Sequence, residues 1–466
     1  MFIHPHKTRF RFQLKRIGMP SGILQLAACL EEAGISVAFL DAAAEGFENE
    51  HLTGEVSPID GEPILRYGLE IEEILNRIAA VKPAIIGLSS LTTSQSDVDV
   101  ELGRAIKKAF PEITVVTGGY HASTKPEQSL ATGAFDYLVK GEGEIAFTSL
   151  VKSLLGGDPP KERVVQGQPV INLDSLPLPA YHLVRNIQYG GERFHGGKAR
   201  NTKVAEVFTT RGCPYNCDFC AVETVHGHNH RAYSLEYVRR LFDKLMEEGY
   251  KEVVIEDDNF MANPKRAVQI AELLHEARLD WTAIGGIGIR QLTVQTNQSL
   301  VVNQELIQKM AACGCYRIYL AVESASRETL RSVNKGNLYC DPKIAEQVVM
   351  ALNSAGIEVY GGFMIGFPSE TMEDVEKTVR YAARLRECGM KCAVLFFVTP
   401  LPGTALGQQL EKAIVGCQAD YCYERSNYNS PHIKAKTLNR ERRRLLIIAN
   451  GPELVRAWES GGPWPT

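Results

Sequence analysis

Three cysteines lie close together in the stretch Thr210-Arg211-Gly212-Cys213-Pro214-Tyr215-Asn216-Cys217-Asp218-Phe219-Cys220. Gly212 and Pro214 predict a loop, and three thiolates in one loop can converge on a soft-metal centre such as zinc, copper(I) or an iron–sulfur cluster. The spacing favours iron, because structural zinc needs four ligands, whereas three cysteines on a four-iron cluster leave one iron open. Zinc with a fourth ligand from the histidines that follow is the alternative: His226, His228 or His230.

The cysteine loop stands at the start of a repeated strand and helix pattern. Apolar runs predict six strands at 204–209, 252–256, 281–284, 317–322, 359–365 and 393–397, separated by helical patterns such as 235–248 and 265–277. Six such units predict a partial (β/α)6 barrel rather than the closed form with eight units. Barrel chemistry belongs at the C-terminal ends of the strands, which is where the cysteine loop begins.

The N-terminal third shows a second alternating pattern. Five predicted strands at 1–4, 37–40, 85–88, 114–117 and 137–139 alternate with helices at 23–33, 70–80, 97–109, 127–131 and 144–155. This order predicts an α/β, flavodoxin-like doubly wound sheet. Its ligand is expected beyond the carboxyl ends of the strands, so the informative loops are 5–6, 41, 89–93, 118–121 and 140–144.

Proline and glycine divide the chain into parts. Gly156, Gly157, Pro159 and Pro160 end the last helix of the first part, and the run Leu176-Pro-Leu-Pro cannot be helical. We therefore expect an N-terminal domain over 1–155, a linker over 156–203, the partial barrel over 204–400 and a short, partly helical tail over 401–466. No motif indicates what the tail does.

Composition narrows the class of protein. The 466 residues carry 51 Lys+Arg and 55 Asp+Glu, which gives a net charge of −4 and argues against a general nucleic-acid binder. With 44% hydrophobic residues and no apolar run of membrane-spanning length, a disordered chain and a membrane span are excluded. The 11 cysteines are too few for a disulfide scaffold, so we expect a cytoplasmic protein.

A basic cluster lies near the N-terminus. It consists of Lys7, Arg9, Arg11, Lys15 and Arg16. We interpret it as a solvated loop, with contact to a phosphate-bearing ligand and a transit peptide as the alternatives.

The cysteine stretch resembles radical S-adenosylmethionine (SAM) enzymes, whose hallmark is C-x3-C followed by an aromatic residue and a third cysteine; Phe219 is that aromatic residue. The resemblance implies a [4Fe–4S] cluster on Cys213, Cys217 and Cys220, with SAM chelated to the open iron. Later strand ends match the family's SAM-binding stretches, and the resemblance assigns them Asp257, Asp258, Glu323, Ser324 and Gly362.

The N-terminal third resembles the cobalamin-binding domain that precedes the barrel in one subgroup of these enzymes. The matching features include the Thr117-Gly118-Gly119-Tyr120-His121 stretch and the Leu176-Pro-Leu-Pro linker. The resemblance implies cobalamin contacts at Ser89, Ser90, Thr92, Gly118, Gly119, Tyr120, Gly141 and Glu142. Glycines at 118 and 119 remove the Cβ atoms that would block the nucleotide tail.

The D-x-H-x-x-G motif that supplies an axial histidine in other cobalamin proteins is absent. We therefore expect cobalt without a histidine ligand, its lower face against the loop 89–93. The histidines that could overturn this expectation are His4, His6 and His121, although a loop histidine more often forms a hydrogen bond than ligates a metal.

The resemblance implies a cobalamin-dependent radical SAM C-methyltransferase (class B). Methyl transfer from methylcobalamin to an unactivated carbon needs a radical first, so SAM serves as methyl source and radical source. Within the subgroup, the stretches 64–69, 257–259 and 322–324 look closest to the phosphonate C-methyltransferase of fosfomycin biosynthesis, although 291–303 is longer than expected. The implied partners are a small biosynthetic intermediate and an electron donor such as flavodoxin or ferredoxin, with neither nucleic acid nor membrane.

Two other functions are compatible with the same motifs. The first is a radical SAM/cobalamin oxidative cyclase or ring-rearranging enzyme, which uses the same cofactors but transfers no methyl group to the substrate. The second is a sensor that catalyses no reaction, which would need an output domain. The remaining cysteine pairs suggest a second cluster as an alternative: Cys313 and Cys315, Cys388 and Cys392, Cys417 and Cys422. The first two pairs flank turns, so ordinary buried thiols are the favoured interpretation.

Overall fold

A computed structural model describes residues 1–297 and 299–460. Two six-stranded parallel sheets dominate it, one in each half of the chain. Among the described residues, no helix has the length and apolar character needed to cross a membrane.

The N-terminal sheet has the strand order β2-β1-β3-β4-β5-β6 and is parallel throughout. Its strands are β1 (Phe2–His4), β2 (Phe39–Asp41), β3 (Ile85–Ser89), β4 (Thr114–Gly118), β5 (Tyr137–Lys140) and β6 (Val164–Gln166). The longer helices are α1 (Ser21–Glu32), α2 (Ile71–Val81), α3 (Ser96–Ala109) and α4 (Glu144–Leu155), and three short helices cover Ala42–Glu45, Tyr120–Thr124 and Pro126–Ala131. The predicted flavodoxin-like doubly wound fold is confirmed.

Alternating side chains of the strands build a core on each face of this sheet. Phe2 packs in the cluster that includes Ile23 of α1 and Phe147 of α4, whereas Ile3 packs with Ile74 of α2 and the side chains of α3. This alternation follows from the period of two in a strand, and it explains why helices cover both faces.

Two features of the N-terminal half were not predicted. Strand β6 lies inside the predicted linker, where three residues between prolines and Gly167 are too short to show a pattern. A three-stranded antiparallel sheet forms from Lys7–Phe10, Glu50–Val56 and Pro63–Tyr67. The interpretation of the basic cluster as a solvated loop is therefore wrong at its first two members, Lys7 and Arg9, which lie in a strand.

The second sheet has the order β7-β8-β9-β10-β11-β12, again parallel. Its strands are β7 (Val204–Val207), β8 (Glu252–Ile255), β9 (Asp280–Gly288), β10 (Cys315–Glu323), β11 (Glu358–Ile365) and β12 (Cys392–Phe397). Helices α5 (Leu235–Glu247), α6 (Pro264–Glu276), α7 (Gln304–Ala312), α8 (Pro342–Ser354) and α9 (Met372–Glu387) connect them. The partial (β/α)6 barrel is confirmed.

The C-terminal segment contacts both halves of the molecule. It contains the helices Ala405–Leu410, α10 (Ala435–Asn450) and α11 (Pro452–Glu459). Helix α10 packs on α9 and β12. The buried guanidinium of Arg425 lies 2.7 Å from Asp60 in the N-terminal half and 3.0 Å from Asp420.

Four buried charged residues join the two halves, and we call them the ion-pair cluster: Glu142, Glu144, Arg211 and Arg231. Arg211 reaches Glu144 at 2.6 Å, and Arg231 donates to Glu142 at 3.0 Å. Both arginines lie in a short antiparallel hairpin that flanks the cysteine loop, and both glutamates follow β5. The cluster therefore fixes the cysteine loop against the carboxyl edge of the N-terminal sheet.

The pKa of Glu142 reflects these contacts. Burial alone would raise it, but hydrogen bonds from His226, Arg231 and the Val170 N–H outweigh burial and lower the pKa. A carboxyl group whose pKa is lower in the folded protein contributes stability above its unfolded pKa, and that contribution is lost as the pH falls.

Glu142→Gln is expected to destabilise the protein by about 3–5 kcal/mol at neutral pH, because it leaves buried arginine charge uncompensated. The gap from wild type should shrink as the pH falls below about 4, because Glu142 then takes up a proton in the unfolded protein before it does so in the folded one. Thermal unfolding midpoints at several pH values measure both effects. Glu127→Gln, at an exposed position of the same half, is the control; a gap that stays constant with pH would contradict the account.

Candidate active site

The cysteine loop starts directly after the first barrel strand. The hairpin of Thr210–Arg211 with Arg231–Ala232 closes it. Gly212 has φ +84°, and a Cβ there would lie 2.5 Å from the Asn229 carbonyl oxygen, so only glycine fits this turn. The Gly212 N–H donates to Asp258 Oδ2 at 2.7 Å, which ties the loop to the end of β8.

Cys213, Cys217 and Cys220 all line one cavity of about 750 Å³ at the C-terminal ends of the barrel strands. Their thiols are free. A tetrahedral zinc site would hold its sulfur ligands about 3.8 Å apart. In the part of the chain that the structure describes, the one group of at least three His, Cys, Asp or Glu ligand atoms within 4.8 Å of one another contains no cysteine.

Two of the three histidines proposed to complete a zinc site are engaged elsewhere: His226 Nδ1 lies 3.0 Å from Glu142, and His228 Nε2 lies 2.9 Å from Glu223. The third, His230, does not line the cavity that the three cysteines share. The three thiols are spread more widely than the ligands of a single zinc ion, and this spread suits a multi-iron cluster better. Burial raises the pKa of the Cys217 thiol to about 11, so a positively charged metal centre is needed to hold it as a thiolate at neutral pH. The residues present therefore fit a [4Fe–4S] cluster.

Glu323, the last residue of β10, lines the same cavity. Its backbone is left-handed, with φ +63°, at the point where the pairing of β10 with β11 shifts register. Its carboxylate accepts from Lys335 Nζ at 2.5 Å, and the same ammonium group lies 5.4 Å from the ring centre of Phe219. A strained backbone held by an ion pair is typical of a ligand-binding position. Phe219, Asp258 and Gly362 line this cavity too.

Two predicted SAM-binding residues do not line the cavity. Asp257 is fully buried and accepts from the N–H groups of Thr209 and Thr210 at 2.5 and 3.1 Å. Burial raises the pKa of Asp257 to about 6. Ser324 is also buried, with its Oγ 3.3 Å from Thr378 Oγ1. In this structure Asp257 shapes the approach to the cysteine loop, and contact of either residue with SAM stays a prediction.

A second cavity, of about 740 Å³, lies at the carboxyl edge of the N-terminal sheet. It brings together six of the eight positions assigned to cobalamin: Ser89, Gly118, Gly119, Tyr120, Gly141 and Glu142. The other two do not line it. The backbone of Ser90 exchanges hydrogen bonds with Gly118 and His121, and Thr92 Oγ1 lies 3.3 Å from Ser94 Oγ.

Glycines line part of this second cavity. Gly119 has φ +101°, and a Cβ there would lie 2.8 Å from the Ser90 carbonyl oxygen, so the turn itself requires glycine. At Gly22, in the first turn of α1, a Cβ would meet no atom of another segment within 4 Å, so the space next to it is open. A glycine-rich rim that a large cofactor can approach closely fits the corrin and nucleotide of cobalamin.

The two cavities share part of their lining. The shared residues are Arg16, His195, Ala221, Val222, Glu256 and Asp258. His195 Nδ1 lies 3.3 Å from Glu206 and its Nε2 lies 3.2 Å from Glu256. Burial would lower the pKa of His195, but the two carboxylates outweigh it and raise the pKa to about 10. A charged imidazolium therefore stands where the cavities meet.

Sequence reasoning missed His195, Glu206 and Glu256. His195 lies in a glycine-rich loop that carries no motif, and its importance comes from a contact across the fold. Glu206 did give a signal, because it is a carboxylate within the buried apolar strand β7. The tail was missed as well: Tyr423, Glu424, Arg442, Leu446 and Trp458 line the first cavity.

Comparison with known proteins agrees with this geometry. Residues 207–382 match the Radical SAM superfamily, and residues 12–151 match the B12 binding domain. The first match contains the cysteine loop and most of the barrel, and the second contains the glycine-lined edge of the N-terminal sheet.

Relatives of known name share both parts. An uncharacterized methyltransferase of Pyrococcus horikoshii is 29% identical over 423 residues, covering 87% of this chain and 81% of its own. The cytidylyl-2-hydroxyethylphosphonate methyltransferase of Streptomyces wedmorensis is 26% identical over 454 residues, covering 87% and 80%.

Among solved structures, the radical SAM methyltransferase TsrM of Kitasatospora setae, with tryptophan and a SAM analogue bound, superposes with a TM-score of 0.62 at 18% identity, covering 88% of this chain and 76% of its own. This likeness shows the shared fold. The two domain matches and the relatives, together with the cysteine loop and the glycine-lined cavity, identify the chain as a cobalamin-dependent radical SAM enzyme. A B12-binding domain precedes the radical SAM domain in it.

Proposed function

We propose that this enzyme is a C-methyltransferase that moves a methyl group from methylcobalamin to an unactivated carbon of a small biosynthetic intermediate, with SAM as methyl source and radical source. The observation that carries the proposal is the shared wall of the two cavities. A substrate in that position faces both the cysteine loop and the cobalamin edge. Its reacting carbon can then meet both cofactors without leaving the protein.

When bound, the cluster with SAM supplies the radical that removes a hydrogen atom, and cobalamin supplies the methyl group. The protein must orient the substrate and keep water from the radical. Apolar side chains of β12 and the tail, including Leu395, Phe397 and Leu446, form one wall of the first cavity. At the shared wall, Glu256 Oε1 lies 3.2 Å from His195 Nε2, so this ion pair borders the space proposed for the substrate.

The wall of the first cavity carries charges of both signs: Arg16, Lys335 and Arg442 lie beside Glu256, Asp258, Glu323 and Glu424. Of these, Arg16 and Arg442 are the groups that would contact an anionic part of the substrate. A phosphate- or phosphonate-bearing intermediate offers such a group, and one relative is named for a phosphonate substrate.

Turnover also requires electrons, and we propose an external donor such as flavodoxin or ferredoxin. The outer side of the cysteine loop, at Pro214, Tyr215 and Asn216, is exposed. A docked donor would therefore come within a few side chains of the cluster.

The first test is an anaerobic incubation of the iron- and cobalamin-loaded enzyme with SAM, reductant and candidate phosphonates. We expect 5′-deoxyadenosine and S-adenosylhomocysteine to rise together with a product heavier by one methylene unit, all measured by mass spectrometry. Deoxyadenosine without S-adenosylhomocysteine would instead indicate the oxidative cyclase or ring-rearranging alternative.

Cys217→Ser tests the cluster separately. It removes one of three thiolate ligands, so we expect loss of the cluster's visible absorption and a fall of deoxyadenosine formation by at least about 100-fold, beyond what changing a supporting residue typically costs. Cys388→Ser is the matched control, because that thiol lies at a turn and does not line the first cavity. Deoxyadenosine formation that survives in Cys217→Ser would contradict the assignment.

A further inference from the structure

Asn259 brings a side-chain amide to one of the three cysteines of the loop. It lies just after β8, at the carboxyl end of the barrel sheet, and it is buried. Its Nδ2 donates a hydrogen bond to Cys213 Sγ, with 3.5 Å between the two atoms. Both residues line the first cavity. An amide of the barrel therefore reaches the first sulfur of the cysteine loop.

Asn259 is the last of three consecutive residues that hold the cysteine loop. Asp257 accepts from two backbone N–H groups just before the loop, and Asp258 accepts from the Gly212 N–H at 2.7 Å. Asn259 continues this series to Cys213, but it donates to the side chain instead of accepting from the backbone. The sulfur and the amide therefore stand in a fixed relation, because the backbone on both sides is tied together.

The direction of the Asn259 amide is set by a second amide. Gln291 Oε1 accepts from the Gly288 N–H at 2.8 Å, and Gln291 Nε2 donates to Asn259 Oδ1 at 2.8 Å. A backbone N–H only donates, so it holds the oxygen of Gln291 and turns the NH2 group of Gln291 toward Asn259. The oxygen of Asn259 then faces Gln291, and its NH2 group faces Cys213. A flipped Asn259 would place two NH2 groups against each other.

The turn that carries Gln291 is held in place as well. It covers Ile289–Leu292, directly after β9. An antiparallel hairpin of Thr293–Gln295 with Leu300–Val302 follows, and the Asn303 N–H closes it by donating to the last carbonyl of the turn at 2.9 Å. This hairpin belongs to the stretch that is longer than expected from the resemblance. Its closure fixes the position from which Gln291 orients Asn259.

A hydrogen bond to a cysteine sulfur is one of the features that set the reduction potential of an iron–sulfur cluster. Reduction adds negative charge that the sulfur ligands share. An N–H donor stabilises this charge more in the reduced cluster than in the oxidised one, so it raises the potential. A carbonyl oxygen facing the same sulfur would lower the potential, and this is why the direction of the Asn259 amide matters.

We propose that Asn259 raises the reduction potential of the cluster through its hydrogen bond to Cys213, with Gln291 as the residue that fixes the direction of the amide. No covalent bond changes, and no proton is transferred between these groups. A higher potential makes the cluster easier to reduce by an external donor. The proposal depends on the cluster at the three cysteines and is independent of whether the enzyme transfers a methyl group.

The test is a redox titration of the cluster- and cobalamin-loaded enzyme without SAM, monitored by the EPR signal of the reduced cluster. Asn259→Leu keeps a branched side chain of similar size but removes the donor. At the wild-type midpoint, we expect its ratio of oxidised to reduced cluster to be about tenfold higher, which corresponds to a midpoint about 59 mV more negative for one electron. Asn353→Leu, at an exposed asparagine of α8, is the control and should titrate like wild type.

An Asn259→Leu midpoint equal to that of wild type, or more positive, overturns the proposal. Loss of SAM affinity with an unchanged midpoint would also overturn it, because Asn259 would then act on SAM alone. Since the titration needs only the cluster, a failure to detect methyl transfer does not affect it.

Pulsed EPR observes the hydrogen bond directly. In enzyme made with asparagine that carries ¹⁵N in the side-chain amide, we expect a ¹⁵N coupling to the reduced cluster that Asn259→Leu abolishes. If Asn259→Leu fails to hold the cluster, Gln291→Met provides the second test. It retains Asn259 but removes the orienting amide, so we expect a weaker coupling and a smaller negative shift of the midpoint. An unchanged coupling and midpoint in Gln291→Met contradict the proposal, as does the absence of any ¹⁵N coupling in wild type.

Discussion

The arrangement of this enzyme depends on one buried group of charges, the ion-pair cluster of Glu142, Glu144, Arg211 and Arg231. Arg211 directly precedes the turn that carries the cysteines. Glu142 lies in the loop after β5, Glu144 is the first residue of α4, and both line the second cavity. Buried ion pairs are weak sources of net stability but are costly to break once formed. Here the ion pairs set the distance and orientation between the cysteine loop and the carboxyl edge of the N-terminal sheet, which must both face the same substrate.

The shared wall follows from that constraint. Because the cysteine loop is held against the carboxyl edge of the N-terminal sheet, the carboxyl ends of both sheets open toward each other. His195, Glu206 and Glu256 then meet at the junction, each from a different segment of the chain. The tail completes the first cavity from the far side, where α10 packs on α9 and β12. We therefore expect substrate selection to depend on the junction and the tail, and cofactor binding to depend on the strand ends.

The sequence predicted the repeating part of this structure well, because buried parallel strands and their helices have strong periodic patterns. Eleven of the twelve strands in the two parallel sheets overlap strands predicted from the alternation of apolar runs and helical patterns. The exception, Val164–Gln166, is three residues long. The cysteine spacing and the glycines of the second cavity can also be recognised in short stretches of sequence. Contacts such as His195 with Glu206 and Glu256, or Arg425 with Asp60, join residues far apart in the chain. Local pattern carries no information about such pairs.

The central claim is that the cluster and cobalamin occupy adjoining cavities of one molecule. The most direct measurement is the microwave power saturation of the cob(II)alamin EPR signal in dithionite-reduced enzyme, compared between wild type and Cys217→Ser. A reduced, paramagnetic cluster nearby speeds the relaxation of the cobalt spin, so the account predicts that the wild-type signal saturates at higher power than that of the variant. Identical saturation in the two proteins, with the wild-type cluster shown to be reduced, would contradict it.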